Sequence, residues 1–211
     1  MAAFKGFGER VIEFFEGLEA DNSKAYWTDN KSVYESDVRA PMEALLAHLE
    51  PEFGAGSIFR PYRDVRFSKD KSPYKTSCAA SAPGGYLQVS RDGLFAAGGY
   101  WRMQPDQIER FRVAVDDERR GKDLQARLAV LTDAGLTVAG DRLKTRPRGV
   151  DPNHPRLELL RHRSLHAWRQ WEPDAELHEP SCADRVAETW RELRPLTQWL
   201  DDHVGPADIQ R

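Results

Sequence analysis

Two cysteines in 211 residues, Cys78 and Cys182, stand far apart with no Cys-x-x-Cys pairing. That excludes a disulfide framework and a zinc knuckle. There is no Walker sequence, no Gly-x-Gly-x-x-Gly after a strand and no Gly-x-Ser-x-Gly elbow, so nucleotide-loop and α/β-hydrolase readings lack their motifs. The longest uncharged, mostly apolar run, Gly93–Trp101, is far too short to span a bilayer. The opening "MAAFKGFGERVIEFF" carries Lys5, Glu9, Arg10 and Glu13 where a signal peptide needs an unbroken apolar stretch. A soluble cytoplasmic protein with no membrane partner is expected. A large excess of one charge is missing too: the net is −3, which argues against a globally basic nucleic-acid binder and leaves room for a local basic site.

What is present is globular. Apolar residues make up 40% and aromatics 10%, enough for a sizeable core, and the length fits one domain spanning 1–211. Val11, Phe14, Phe15 and Leu18 follow helical spacing, and "EADNSK" ends that helix. A second helical stretch is expected from about Asp29 to Leu49, kinked or restarted at Pro41. "GGYLQVSRDGLFAAGGYW" reads as a hairpin whose Gly93 suits a left-handed turn position. Ser57–Ser68 can alternate as a strand with Arg60, Tyr62, Asp64, Arg66 and Ser68 on one face. Helices resume at Pro105 and Asp123, "LTVAG" and Ser164–Trp171 read as strands, Leu157–Leu160 as a short helix, and Ala183–Val204 as the last helix. The order predicts an α+β fold: a central antiparallel or mixed sheet with hairpins, flanked by N-terminal and C-terminal helices.

Charge is concentrated in "RPYRDVRFSKDKSPYKT", Arg60 to Thr76. Six cations against Asp64 and Asp70 give a net of +4, so the remainder of the chain sums to −7. Guanidinium groups hold carboxylate or phosphate in bidentate fashion and lysine adds point charge, which makes Arg60, Arg63, Arg66 and Lys71 candidate ligand-binding residues. Asp64 or Asp70 would orient an arginine, and Asp64 and Tyr74 are the candidate catalytic proton-transfer groups if the protein is an enzyme. A second basic stretch, Arg142 to Arg169, adds Arg146, Arg148 and His154 as further ligand-binding candidates. Its Trp168 and Trp171 are expected in the core with arginines lying over them. Cys78 reads as a small, semi-buried thiol, and no histidine has the partners of a metal site. The residues name no cofactor and no oligomeric state.

Four pieces, "FEGLEADNSKAYWTDNKSVYESDV", "FRPYRDVRFSKDKSPYKT", "GGYLQVSRDGLFAAGGYW" and "LKTRPRGVDPNHPRLELLRHRS", resemble a bacterial and fungal family catalogued as domain of unknown function 2461. Its signature falls on Arg60, Arg63, Asp64, Arg66, Phe67, Asp70, Lys71 and Tyr74. The resemblance covers nearly the whole chain and implies that this segment is the family's defining element, without implying an activity. Three functional expectations remain. The first is a basic cleft for a phosphate- or carboxylate-bearing small molecule, with or without catalysis. The second is a nucleic-acid or protein interaction module. The third is an Arg–Asp lattice that only holds the fold.

Overall fold

The computed structural model describes residues 3–64, 66 and 70–208. Helix α1 (Val11–Ala20) buries the four residues its spacing selects, Val11, Phe14, Phe15 and Leu18. Ser23 caps α2 (Lys24–Val33), its hydroxyl accepting the Tyr26 N–H at 3.1 Å. The chain then widens into a π-helical segment, Tyr34–Arg39, before α3 (Ala40–Phe53).

Pro41 accounts for that widening, since it has no N–H to offer the carbonyl of Asp37. The Gly8 N–H donates to that carbonyl instead, at 2.9 Å, and the Arg10 N–H reaches the Asp37 carboxylate at 3.2 Å. The proline expected to kink the helix thereby ties it to the start of α1.

The strands are β1 (Ser57–Ile58), β2 (Ser77–Ala82), β3 (Gly85–Ser90), β4 (Gly93–Tyr100), β5 (Thr137–Ala139) and β6 (Leu165–Trp171), and among the described residues they form one sheet in the order β1-β2-β3-β4-β6-β5. β1 with β2, β2 with β3 and β5 with β6 pair antiparallel. β6 runs antiparallel to β4 as well: a Cβ on Gly99 would fall 2.6 Å from the Leu165 carbonyl oxygen, and one on Gly93 would fall 2.2 Å from that of Trp171. Gly93 turns the β3–β4 hairpin at φ +88°, as its position in the sequence predicts.

Helices α4 (Pro105–Asp116), α5 (Glu118–Asp133), α6 (Leu157–Leu160) and α7 (Cys182–His203) complete the α+β fold. α7 runs on through Pro195. Among the described residues, no helix is long and apolar enough to cross a membrane.

The chain divides into two compact units, Met1–Ala96 with Gln170–Thr189, and Ala97–Arg169 with Trp190–Arg211. In the first, α1 packs on α2 and β3, and α3 packs on β1 and β2, around Phe15, Leu18, Met42, Leu45 and Leu87. In the second, α4 packs on α5 and α6, with Phe111, Leu124, Leu160, Trp190 and Trp199 buried.

One expectation fails. The strand predicted over Ser57–Ser68 is only Ser57–Ile58, and residues 65 and 67–69 lie outside the described residues. Pro61 gives a reason within the described residues, because it has no N–H to offer a strand ladder.

Candidate functional site

The basic segment lies in the first unit and is built as an irregular two-armed ribbon. The Phe59 N–H donates to Ala79 O (2.9 Å), Arg63 N–H to Pro73 O (2.9 Å) and Lys75 N–H to Pro61 O (2.8 Å), with Tyr62 bridging Tyr74. Pro61 and Pro73 themselves donate nothing, so the pairing is sparse. Its base is aromatic. Tyr74 is buried and stacks flat on Trp27, centroids 4.4 Å apart and planes 7° apart. Tyr62 leans on both rings at 6.1 and 5.5 Å, yet stays 51% exposed. Phe59, 41% exposed, packs near Tyr86 of β3 with the Lys75 ammonium 5.5 Å from its centroid.

Carboxylates hold two of the arginines. Asp64 takes Arg66 in a fork, Nε to Oδ1 at 2.9 Å and Nη2 to Oδ2 at 2.6 Å. Asp70 takes Arg63 Nη1 through one oxygen, while its other oxygen accepts the Ser72 hydroxyl (2.6 Å) and N–H (2.9 Å). Arg66 and the Arg63 side chain are nonetheless largely exposed. Lys71 is exposed as well, and Arg60 is exposed with no hydrogen bond or ion pair among the described residues. A guanidinium has five N–H donors, so Arg63, held through Nη1, is oriented with donors to spare.

These bonds shift two acids. Ser72, and then Arg63, hold the Asp70 carboxyl down to about 2. The Arg66 side chain, with its backbone N–H, holds Asp64 below the usual carboxylate range. Asp64 is therefore an anion occupied by a cation, a poor donor of a proton near neutral pH. Burial, helped by Tyr62, raises the Tyr74 phenol above its ordinary value.

The second basic segment lies in the other unit and is mostly committed to the fold. Arg156, 4% exposed, donates Nε to Val115 O (2.7 Å) and Nη2 to Asp116 O (2.9 Å), capping the end of α4, and Nη1 to Glu118 (3.1 Å). Arg161 donates to the Leu143 and Lys144 carbonyls, Arg163 pairs with Asp141, and Arg169 reaches Ala134 O and Glu192. His154 has both ring nitrogens engaged. Its Nδ1 accepts the Arg156 N–H at 3.0 Å, so Nε2 carries the proton and faces Asp116 at 3.1 Å. Arg146 and Arg148 are exposed.

Cys78 is buried in β2, its thiol pushed up to about 11 by burial, so it is the small inert thiol the sequence suggested. Among the described residues, no three His, Cys, Asp or Glu side chains gather as a metal site.

The model of the family described as "Conserved hypothetical protein (DUF2461)" matches residues 10–199. The chain belongs to this family. No curated protein matches it. DUF2461 has no assigned activity, so membership identifies the protein without saying what it binds, and the geometry of the ribbon has to supply that.

Three residues that build this DUF2461 ribbon or hold it in place escape a reading of the sequence. Asn22, which reads as a turn residue, instead holds the backbone of Tyr74 from 52 positions away. Phe59 and Tyr62 read as ordinary strand residues and stand exposed among the cations. The Asp70-x-Ser72 spacing carried a local signal, that of a side-chain turn.

Proposed function

We propose that the protein binds an anionic ligand, phosphate- or carboxylate-bearing, on the 59–76 ribbon. Arg60, Arg63, Arg66 and Lys71 contact the anion, while Asp64 and Asp70 act as holders of the arginines. The observation that carries this reading is the Asp70–Arg63 and Asp64–Arg66 pairing on exposed side chains. Exposed pairs of this kind add little stability, because solvent and salt screen them. Their consequence is orientation: each carboxylate holds a guanidinium in place, the preorganisation that anion recognition needs. Tyr74, in this reading, is part of that base. Arg146 and Arg148 remain candidates for a contact of their own in the other unit, where the His154 ring is already fixed by Asp116 and Arg156.

A second reading is favoured by Phe59 and Tyr62. Half-exposed rings alternating with Arg60 and Arg63 suit single-stranded nucleic acid, where bases stack on aromatics and cations follow the backbone. Equilibrium titration with inorganic phosphate, a mononucleotide and a short oligonucleotide at several salt concentrations separates the two. Nucleic acid predicts affinity falling steeply with salt and growing with strand length. A small-molecule site predicts saturation by the mononucleotide alone. Binding of none of the three opposes both readings.

A further inference from the structure

Trp101, in the second unit, is a large apolar side chain that the fold leaves 47% exposed directly after β4. It is nevertheless fixed. The imidazole of His166, on β6, stacks against it with centroids 3.8 Å apart and planes 22° apart. Burial lowers the His166 pKa, so the imidazole is neutral near pH 7 and the stack carries no charge of its own. An exposed indole held by a neighbouring ring is a ready stacking surface.

That indole lines an open cleft of about 440 Å³ together with Arg102, Gln104, Ile108, Asp141 and Arg163. The volume falls within the range of small-molecule sites, about 300 to 1,000 Å³. The walls are tied together, since the Met103 N–H donates to Arg163 O at 3.2 Å and the Arg163 N–H to Asp141 O at 2.7 Å. Charge in the cleft is unequal. Asp141 neutralises the Arg163 guanidinium, but Arg102 is exposed and makes no hydrogen bond or ion pair among the described residues. The cleft therefore has one aromatic wall, apolar contacts from Met103, Pro105 and Ile108, and a surplus of one positive charge.

We propose that this cleft binds a small planar molecule bearing one anionic group, its ring against Trp101 and its carboxylate or phosphate on Arg102. A ring alone would find the indole but leave Arg102 unmatched. A bare anion would find Arg102 but leave the indole uncovered. All the residues involved lie between positions 101 and 166 and none belongs to the 59–76 ribbon, so the proposal stands whether or not that ribbon binds anything.

The test follows the indole N–H signals of the six tryptophans by ¹H–¹⁵N NMR on the full chain, with Trp101 assigned from Trp101→Phe. The probes are adenosine monophosphate and 2-naphthoate; ribose 5-phosphate and adenosine serve as controls that carry only the anion or only the ring. The expected result is a saturable shift of the Trp101 signal with one or both probes, the responding probe showing whether phosphate or carboxylate is preferred. Arg102→Ala weakens that binding about tenfold or more, as loss of a charge-assisted hydrogen bond should. Arg63→Ala leaves it unchanged. The proposal is overturned by a Trp101 signal that neither probe moves at millimolar concentration in folded protein. Equal affinity in wild type and Arg102→Ala overturns it too, as does ribose 5-phosphate binding as tightly as adenosine monophosphate.

Discussion

Asn22 grips Tyr74 by both polar groups of its backbone: Nδ2 donates to the Tyr74 carbonyl at 3.2 Å, and Oδ1 accepts the Tyr74 N–H at 3.0 Å. Because Tyr74 also lies flat on Trp27, the returning arm of the basic ribbon is fastened by its backbone to the turn before α2 and by its side chain to α2 itself. Asn22→Ala removes both hydrogen bonds and should cost about 1–3 kcal/mol in denaturant unfolding. It should also weaken anion binding, because the ribbon loses its anchor. Unchanged stability in Asn22→Ala would mean the ribbon is held elsewhere.

Asp70 makes the loop sensitive to acid. Its folded pKa, about 2, lies below the unfolded value of about 3.9, so the stability it contributes is present above about pH 4 and is lost as pH falls toward 2. Carboxyl ¹³C titration should place the Asp70 midpoint near 2. Ser72→Ala should raise it more than Arg63→Ala does, since the two bonds from Ser72 are the larger cause. The reverse order would show that the arginine, and not the turn, sets this carboxylate.

Arg156 is expected to matter for stability and not for binding. Arg156→Met strips the Val115 and Asp116 carbonyls of their buried donors and should destabilise by about 2–4 kcal/mol. Gly121→Ala tests the same contact from the other side, because its Cβ would fall 2.3 Å from Val115 O and 2.4 Å from Arg156 Nε. Thermal unfolding of both variants checks this; a neutral Gly121→Ala would contradict the packing described.

Neither cysteine should react in the native protein. Burial pushes Cys78 up to about 11 and Cys182 up to about 12, leaving almost no thiolate at pH 8. A disulfide-exchange reagent should label both only as fast as the chain opens, and fully in denaturant. Rapid native labelling of Cys78 would contradict this and show a reactive thiol beside the basic ribbon.

Most of the fold was legible because its signals are local. Val11, Phe14, Phe15 and Leu18 select their helix by spacing, Pro105 starts α4, and Gly93 marks its hairpin. β2 was not legible. "SCAASA" has small residues at every position, so it lacks both the alternation and the β-branched side chains that announce a strand, although it lies between β1 and β3. The candidate site was half legible. Its cations stand out in the sequence, and Asp64–Arg66 is a neighbour pair, but Asn22 and the carbonyls that occupy Arg156, Arg161 and Arg169 are far away along the chain. Nothing in a row of arginines tells which will turn inward to cap a helix and which will stay in solvent.

The central claim is that Arg63 is held in place to meet a ligand and not to hold the fold. Thermal unfolding of wild type and Arg63→Ala, with inorganic phosphate, phosphate-bearing metabolites and mononucleotides at low and moderate salt, tests it most directly. A ligand at about 100 times its dissociation constant should stabilise the wild type by roughly 2.7 kcal/mol. Arg63→Ala should unfold within about 1 kcal/mol of wild type, since the pair it loses is exposed, and should show no ligand-dependent shift. If no ligand moves the wild type and Arg63→Ala is itself strongly destabilised, the arginines hold the fold together and the binding site does not exist.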